Sequence, residues 1–292
     1  MSGVLARLRS YASLVALSHT IFAMPFAASA VVLAHTVPHR ALDERRVAAL
    51  IVCMVTARTS AMAFNRFADR DIDARNPRTR DREIPRGAIG ATEALALSIV
   101  SGVLFVASAA TLGRAPGVLG VPVLAFLLGY SYAKRFTWAA HAWLGIALAL
   151  APGGAWIAMG ASPSGAIVWL MAGVATWLFG FDVLYSLQDE GFDRENGLSS
   201  VPARFGTTRA LVASAASHLV TVVAFVAAGL GFHRGIIYFG GVGACALVLA
   251  WEHVIVGRGD LRRIDRAFFD MNAMVGVGFF ACTLGDVLLS SP

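Results

Sequence analysis

Nine stretches of this chain are long and apolar enough to cross a lipid bilayer, near 11–36, 46–64, 91–112, 116–133, 138–160, 165–188, 209–231, 234–256 and 268–290. About 20 consecutive apolar residues carry a helix across a hydrocarbon core about 30 Å thick. The stretches lack the two-residue alternation of a barrel and are rich in Ala, Gly and Leu, so helices are the expected spanning element. Lipid offers the backbone no partners, and a helix satisfies its own. The many small residues let neighbouring helices pack closely. Composition points the same way. The 292 residues are 57% hydrophobic and 14% charged, with a mean hydropathy of +0.68, whereas a soluble domain carries about 25% charged residues. With no tandem repeat, low-complexity tract or soluble segment in view, 1–292 reads as one all-α polytopic membrane domain of about nine transmembrane helices.

The charges give this bundle a direction. Arg7 and Arg9 precede the first apolar run, which continues through Val31, Val32 and Leu33 past the small residues Ala28-Ser29-Ala30. That continuity argues against a cleaved signal peptide. With the N-terminus in the cytoplasm, most of the 24 basic residues fall in cytoplasmic segments, including Arg66 to Arg86, Lys134 and Arg135, and Arg258 to Arg266. Few, such as Arg45, Arg114 and Arg234, fall on the opposite side. This is the positive-inside pattern. It accounts for the net charge of +6 without nucleic-acid binding. Cys53, Cys245 and Cys282 lie inside apolar runs without CxxC spacing and read as buried free thiols.

Two acidic clusters end on the cytoplasmic side in this topology. In Asn65-Arg-Phe-Ala-Asp69-Arg-Asp71-Ile-Asp73, the residues Asn65, Asp69 and Asp73 are spaced four apart and share one helical stripe. Asp71 points elsewhere and reads as solvated or paired with Arg. In Asp182-Val-Leu-Tyr185-Ser-Leu-Gln188-Asp189-Glu-Gly-Phe-Asp193, Asp182, Tyr185, Asp189 and Asp193 trace one face of a continuous helix. Asp182 lies inside the apolar run, where an ionisable group marks a functional candidate. A single D-x-x-x-D is usually a solvated ion-pair face. Two copies at span ends, on one side, in a chain poor in acids, are far more specific. Facing carboxylates repel, and a divalent cation removes the conflict. Mg²⁺ prefers hard oxygen ligands and joins one or two carboxylates to substrate phosphates. Asn65, Asp69, Asp73, Asp189 and Asp193 are the expected metal ligands.

Basic residues stand in the 2–3 and 4–5 loops on the same side. Arg78 and Arg82 lie in Asn76-Pro-Arg78-Thr-Arg80-Asp-Arg82-Glu-Ile-Pro85-Arg86-Gly87, and Lys134, the only lysine, precedes Arg135-Phe136-Thr137. Arginine suits bidentate phosphate contacts and lysine acts as a compact charge. These four are read as phosphate contacts, and Arg80 and Arg86 as topogenic charges.

Together these motifs resemble the UbiA superfamily of intramembrane prenyltransferases over nearly the whole chain. Asn65/Asp69/Asp73 resembles the family's first acidic motif and Asp189/Asp193 the second. Lys134-Arg135-Phe136-Thr137 is similar to its K-R-x-T segment. His19-Thr-Ile-Phe-Ala-Met-Pro-Phe26, Asp182 to Asp189, Ser199-Ser-Val-Pro-Ala-Arg-Phe-Gly206 and Ala267-Phe-Phe-Asp-Met-Asn272 resemble the 4-hydroxybenzoate polyprenyltransferases and a branch serving the futalosine route to menaquinone. His141 stands where many members carry Gln or Asn, which leaves the acceptor open. The resemblance implies helices around a central cavity, a cap of short cytoplasmic helices, and a lipid-facing exit for the isoprenoid tail. It also implies Mg²⁺-dependent transfer of a polyprenyl chain from its diphosphate to 4-hydroxybenzoate or a dihydroxynaphthoate in a bacterial inner membrane. Asn65, Arg78, Arg82, Gln188 and His141 are then the candidate substrate-binding residues. Asp69, Asp73, Asp189, Asp193, Lys134, Arg135, Asp182 and Tyr185 are the candidate catalytic ones, with Asp182 or Tyr185 orienting the acceptor.

An ion-coupled transporter or a lipid phosphotransferase would also use intramembrane acids. A transporter would place them near the bilayer midplane, and here they sit at span ends beside arginines. Trp138, Trp143, Trp156, Trp177, Phe179 and Phe181 read as packing or interface residues, and so do His19, His218 and His253. Pro152-Gly153-Gly154 marks a kink or break in the fifth span. The topology is checked by reporter insertion. A reporter active only in the cytoplasm should be active in the loop after span 6 and silent in the loop after span 5.

Overall fold

The computed structural model describes residues 2–15, 22–36, 43–257 and 264–290. Among them every regular element is a helix. These are α1 (Ser2–Leu14), α2 (Met24–His35), α3 (Glu44–Arg75), α4 (Ala91–Thr111), α5 (Arg114–Ala133), α6 (Ala140–Ala158), α7 (Gly165–Ser186), α8 (Glu190–Glu195), α9 (Val201–Phe205), α10 (Thr207–Gly231), α11 (Ile236–Gly257) and α12 (Ile264–Ser290). A 3₁₀ turn, Leu187–Asp189, joins α7 to α8. Eight of the helices are long and apolar enough to span a bilayer, and α2 is a shorter apolar one of 12 residues. At 1.5 Å per residue α2 reaches only about 18 Å. The first apolar run therefore contributes two separate helices to the described residues, α1 and α2. Residues His19-Thr20-Ile21 of the quoted opening segment lie outside the described residues. Large apolar side chains such as Ile236 (87% exposed) and Leu247 (73% exposed) cover the outer helix faces, as a lipid solvent requires.

The chain divides into two compact units, Met1–Thr20 with Glu44–Tyr132, and Ile21–Asp43 with Ala133–Pro292. In the smaller unit α3 and α4 lie side by side. Small residues let them approach. Ser60 Oγ donates to the Ser98 carbonyl at 2.8 Å and Ser98 Oγ donates to the Ser60 carbonyl at 2.9 Å. A Cβ on Gly102 would lie 3.1 Å from Ser60 Oγ and 3.0 Å from a Leu124 methyl of α5. α1 lies against α3. Its Arg7 bonds Glu93 at the start of α4 at 2.7 Å, and Tyr11 hydroxyl donates to the same carboxylate. Leu14, Ala63, Ile89 and Ala94 form the buried cluster beneath. Ile84 and Ile89 tie the far end of the 76–90 loop, which carries Arg78 and Arg82, into that cluster.

In the larger unit α7 is the hub and packs on α6, α9, α10 and α12, while α2 lies against α6 and α12. The close contacts are made by glycine. A Cβ on Gly145 of α6 would sit 2.3 Å from the Ala175 carbonyl oxygen of α7, and one on Gly173 would sit 2.4 Å from the Phe225 ring of α10. Hydroxyls fasten α7 to α10. Ser214 Oγ donates to the Gly180 carbonyl at 2.8 Å, and Ser217 Oγ donates to the Thr176 carbonyl at 2.7 Å. An aromatic core of Phe26, Trp177, Phe225, Tyr238 and Phe279 fills the centre, with ring centroids 4.6 to 5.8 Å apart. Trp177 is thus a packing residue. Of the kink or break expected at Pro152-Gly153-Gly154, the break is absent, since α6 runs from Ala140 to Ala158 with Pro152 inside it. Cys53 and Cys245 are buried, Cys282 is half-buried, and all three are free thiols.

Polar groups inside this apolar unit are mostly tied to one another. Trp177 Nε1 donates to Asn272 Oδ1 at 2.8 Å, and Asn272 Nδ2 donates to Glu252 Oε1. Asp286 of α12 accepts from the Gly235 and Tyr238 amides at 2.9 and 3.3 Å and so caps the start of α11. His218 Nδ1 lies 3.0 Å from His253 Nε2, a local pair within the packing. Asn272→Ala would strand the Trp177 N–H and the Glu252 carboxyl together. The expected loss is about 2–4 kcal/mol, measured as a lowered unfolding midpoint in detergent, with Asn272→Gln losing less.

Candidate active site

The first acidic motif is on the last turns of α3. This helix has 32 residues and is about 48 Å long, well beyond a hydrocarbon core about 30 Å thick. Asn65 to Asp73 therefore continue a span without a break. Asp69 and Asp73 are 2% and 3% exposed, whereas the Asp71 side chain is 81% exposed and 3.7 Å from Arg70. The four-residue spacing has separated two buried carboxylates from a solvated one. Asn65 Nδ2 donates to Asp69 Oδ2 at 3.2 Å and to Ser131 Oγ of α5 at 3.5 Å. With its amide hydrogens so used, Asn65 keeps its carbonyl oxygen as an acceptor for a further group. Arg82 Nη1 donates to Asp73 Oδ1 at 2.8 Å. Asp73 Oδ2 is buried and has no hydrogen-bond partner.

The Arg82 contact depends on a wound loop. The Asn76 side chain accepts from the Arg78 amide at 2.9 Å, and the Asn76 carbonyl accepts from the Thr79 and Arg80 amides. Thr79 Oγ1 donates to the Asp73 carbonyl at 3.2 Å, and the Glu83 carbonyl accepts from the Ala88 and Ile89 amides. Gly87 turns at φ +74°, a backbone conformation that glycine adopts freely. Asn76, Thr79 and Glu83 are buried, while Arg78 and Arg80 are exposed. Buried side chains thus hold a short basic loop against the end of α3. Two neighbours were not among the sequence candidates. Ser131 is buried beside Asn65. Arg66 has a buried Nε without a partner and interacts electrostatically with Asp69, Asp73, Glu83 and Arg82. The spacing of Arg66 to Asp69 and Asp73, three and seven residues, held the signal for Arg66. Ser131 had none, because it comes from another helix.

The second acidic motif departs from the expected continuous helix. α7 ends at Ser186, the 3₁₀ turn Leu187–Asp189 intervenes, and α8 carries Asp193. A 3₁₀ turn has three residues per turn, so the single α-helical face assumed for Asp182, Tyr185, Asp189 and Asp193 is broken after Tyr185. Asp193 is paired with the Ser200 hydroxyl and feels the charges of Asp189 and Lys134. The Ser199 amide donates to the Lys134 carbonyl at 2.7 Å, and the Leu198 amide donates to the Asp193 carbonyl at 2.8 Å. Lys134, Asp189 and Asp193 are thereby gathered around the segment 198–201. Arg135 is exposed beside them in sequence. The Gln188 Nε2 is buried without a partner. Tyr185 packs its ring on Phe181 at 6.1 Å, and Phe181 packs on Phe22 at 5.7 Å.

His141 has both ring nitrogens engaged. Nδ1 lies 2.6 Å from Asp182 Oδ2, and Nε2 accepts the Val201 amide at 3.2 Å. It does not offer a free nitrogen to a substrate, which corrects its reading as a direct binding residue.

Among the described residues, no three His, Cys, Asp or Glu side chains converge into a metal cage. The donor set still fits Mg²⁺, which keeps several waters and binds through one or two carboxylates plus substrate phosphate. The buried, partnerless Asp73 Oδ2 is the oxygen such an ion would satisfy.

Comparison with known proteins places the chain in a family. The family model described as the UbiA prenyltransferase family matches residues 22–275. A 4-hydroxybenzoate octaprenyltransferase of Aromatoleum aromaticum is 31% identical over 239 residues, 80% of this chain and 79% of that protein. Another so named, from Methylococcus capsulatus, is 30% identical over 83% of this chain and 82% of that protein. Among solved structures, a UbiA homologue from Aeropyrum pernix K1 superposes with a TM-score of 0.83 at 33% identity, covering 92% of this chain and 98% of that one. An Archaeoglobus fulgidus homologue bound to GPP and Mg²⁺ shares the fold at a TM-score of 0.68 and 17% identity, covering 94% and 99%. With its apolar helices, its paired acidic motifs and these relatives, the chain is an integral membrane transferase and belongs to the UbiA prenyltransferase family.

Proposed function

We propose that the chain transfers a polyprenyl group from a polyprenyl diphosphate to a ring carbon of a small phenolic acid, 4-hydroxybenzoate or a dihydroxynaphthoate, in the synthesis of ubiquinone or menaquinone. The observation that carries this reading is Asp73, a buried carboxylate with one oxygen on Arg82 and the other without a partner, beside buried Asp69. Such an arrangement is costly unless a cation completes it. The proposed ligands are Asn65, Asp69, Asp73, Asp189 and Asp193. Bound there, Mg²⁺ would neutralise the diphosphate and stabilise the charge that grows on it as it leaves. The Archaeoglobus fulgidus homologue, which is bound to GPP and Mg²⁺, supports this reading. The names of the bacterial relatives favour 4-hydroxybenzoate.

The chain's own residues then act as follows. Arg78, Arg82, Lys134 and Arg135 place positive charge on the diphosphate oxygens, and Gln188 offers its partnerless Nε2–H. Fixed donors aimed at developing charge are a large catalytic term. The bond between the prenyl C1 and oxygen breaks, and its electron pair leaves with the diphosphate. The ring carbon next to the phenolic hydroxyl forms the new C–C bond, and the ring proton passes to solvent. Asp182 accepts a hydrogen bond from the phenolic hydroxyl and raises electron density in the ring, while Tyr185 packs beside it. Apolar surroundings keep water from the allylic cation. Placement of the carboxylates at the end of α3, next to Arg78 and Arg82, argues against an ion-coupled transporter. A bacterial inner membrane with the N-terminus and the active-site loops in the cytoplasm completes the proposal.

The test is diphosphate release by the protein in lipid vesicles, given polyprenyl diphosphates, Mg²⁺ and either acceptor. Acceptor-dependent release is expected, and the acceptor that is prenylated names the branch. Asp69→Ala and Asp189→Ala should each lose at least about 100-fold in kcat/KM. Chelation should abolish turnover and Mg²⁺ restore it. Folded wild-type protein that releases diphosphate with neither acceptor sinks the reading.

Arg82→Gln gives a separate prediction. It removes the positive charge that faces Asp73 and the proposed diphosphate site, and KM for the prenyl diphosphate should rise about tenfold, while KM for the acceptor changes little.

A further inference from the structure

His141, Asp182 and Val201 form a chain of hydrogen bonds whose direction can be read from the atoms. A backbone amide can only donate, so the Val201 N–H at 3.2 Å fixes His141 Nε2 as an acceptor. A neutral imidazole with Nε2 accepting must carry its hydrogen on Nδ1. That hydrogen points to Asp182 Oδ2, 2.6 Å away. The bond is therefore Nδ1–H donating to a carboxyl oxygen of Asp182.

The frame around it is rigid. His141 is 5% exposed and belongs to the first turn of α6. One turn further, Gly145 lets α6 touch the α7 backbone at Ala175, which brings the Asp182 turns of α7 within reach of His141. Val201 is the first residue of α9, whose N-cap Ser200 side chain accepts from the Ala203 amide and is paired with Asp193. The Phe179 ring meets the imidazole edge-on at 6.4 Å. The Asp182 side chain keeps 22% of its surface exposed, so its other oxygen remains open to a ligand.

We propose that His141 is the positioning residue of the acceptor site. It holds Asp182 oriented, so that the other Asp182 oxygen accepts the hydroxyl hydrogen of a phenolic acceptor. The Val201 amide selects the imidazole tautomer that makes this possible. The inference rests on the proposed transfer to a phenol and assigns the task of recognising the hydroxyl within that reaction. His141 acts through Asp182 and touches no substrate.

Two substitutions separate the two nitrogens. Asn places an amide nitrogen near the position of Nδ1, so His141→Asn keeps a donor for Asp182 and drops the bond to Val201. Gln places an amide oxygen near Nε2, so His141→Gln keeps the acceptor for Val201 and drops the donor to Asp182. Each variant is assayed in vesicles with 4-hydroxybenzoate or the dihydroxynaphthoate, whichever the wild type prenylates, and both substrates are titrated. His141→Gln should lose about 10- to 100-fold in kcat/KM for the acceptor, as expected for one hydrogen bond to a charged group. KM for the prenyl diphosphate should stay within about twofold of wild type. His141→Asn should lose about threefold. In an Asp182→Asn background the His141→Gln loss should vanish, because the two residues act as one unit. Val201→Pro is a second variant that spares both side chains. Proline is tolerated at the first helical position and removes the N–H that selects the tautomer, and it too should weaken use of the acceptor alone. Wild-type protein inactive with both acceptors refutes the proposed function itself. Given an active wild type, the positioning role is overturned by any of three results: equal losses for Asn and Gln, a loss that persists without Asp182, or a loss shared by both substrates. A His141→Gln chain that does not fold leaves the decision to Val201→Pro, and unchanged use of the acceptor in that variant overturns the role.

Discussion

The backbone contact between α6 and α7 at Gly145 sets the geometry of the larger unit. Any side chain there would collide with the Ala175 carbonyl oxygen. Lipid tails are as apolar as leucine, so helices in a bilayer gain little by hiding hydrophobic surface from each other and associate through close packing and polar contacts instead. Gly145 supplies the close packing. From that contact the imidazole of His141 meets Asp182, and α7 is set in place to receive Phe225 over Gly173 and the Ser214 hydroxyl at Gly180.

Two kinds of buried polar group emerge from this packing. One kind is closed. The Asp286 carboxylate caps α11, the Ser60 and Ser98 hydroxyls exchange bonds, and Trp177 reaches Asn272. Such groups hold helices together and leave little for a ligand. The other kind is open. Asp73 keeps one oxygen without a hydrogen-bond partner beside Arg82, and Gln188 keeps one amide nitrogen without one. Burying an unsatisfied carboxylate oxygen destabilises a fold. The open Asp73 oxygen, at the end of a span beside Arg82, is the feature on which the proposed cation site rests. Glu252 also has one partnerless oxygen, but it lies among aromatic packing with no basic neighbour among its bonded partners.

Much of this was legible in residue order. Apolar runs located the eight long helices, because a membrane span must be continuous and cannot be assembled from distant pieces. Their ends were less exact. The run at 11–36 gave two helices, α1 and α2, and the run ending at 188 hid the 3₁₀ turn that separates Asp189 and Asp193 from the α7 face. Local hydrogen bonding decided that change, and hydropathy does not record it. The contrast between buried Asp69 and Asp73 and solvated Asp71 follows directly from a period of 3.6 residues. Pro152 did not break α6, which continues through it to Ala158.

The sequence by itself determined the class of the protein, its membrane solvent and its inventory of carboxylates and cations, because these depend on composition and on spacings within one helix. Only the tertiary structure decided which groups pair. Ser131 next to Asn65, Arg82 on one oxygen of Asp73, and His141 held between Asp182 and the Val201 amide all join residues from different segments. Helix approach and loop winding, neither of which has a local code, set those distances. The role of His141 shows the difference most clearly. In the sequence it is one histidine near an apolar run, and in the fold a backbone amide chooses which of its nitrogens carries the proton.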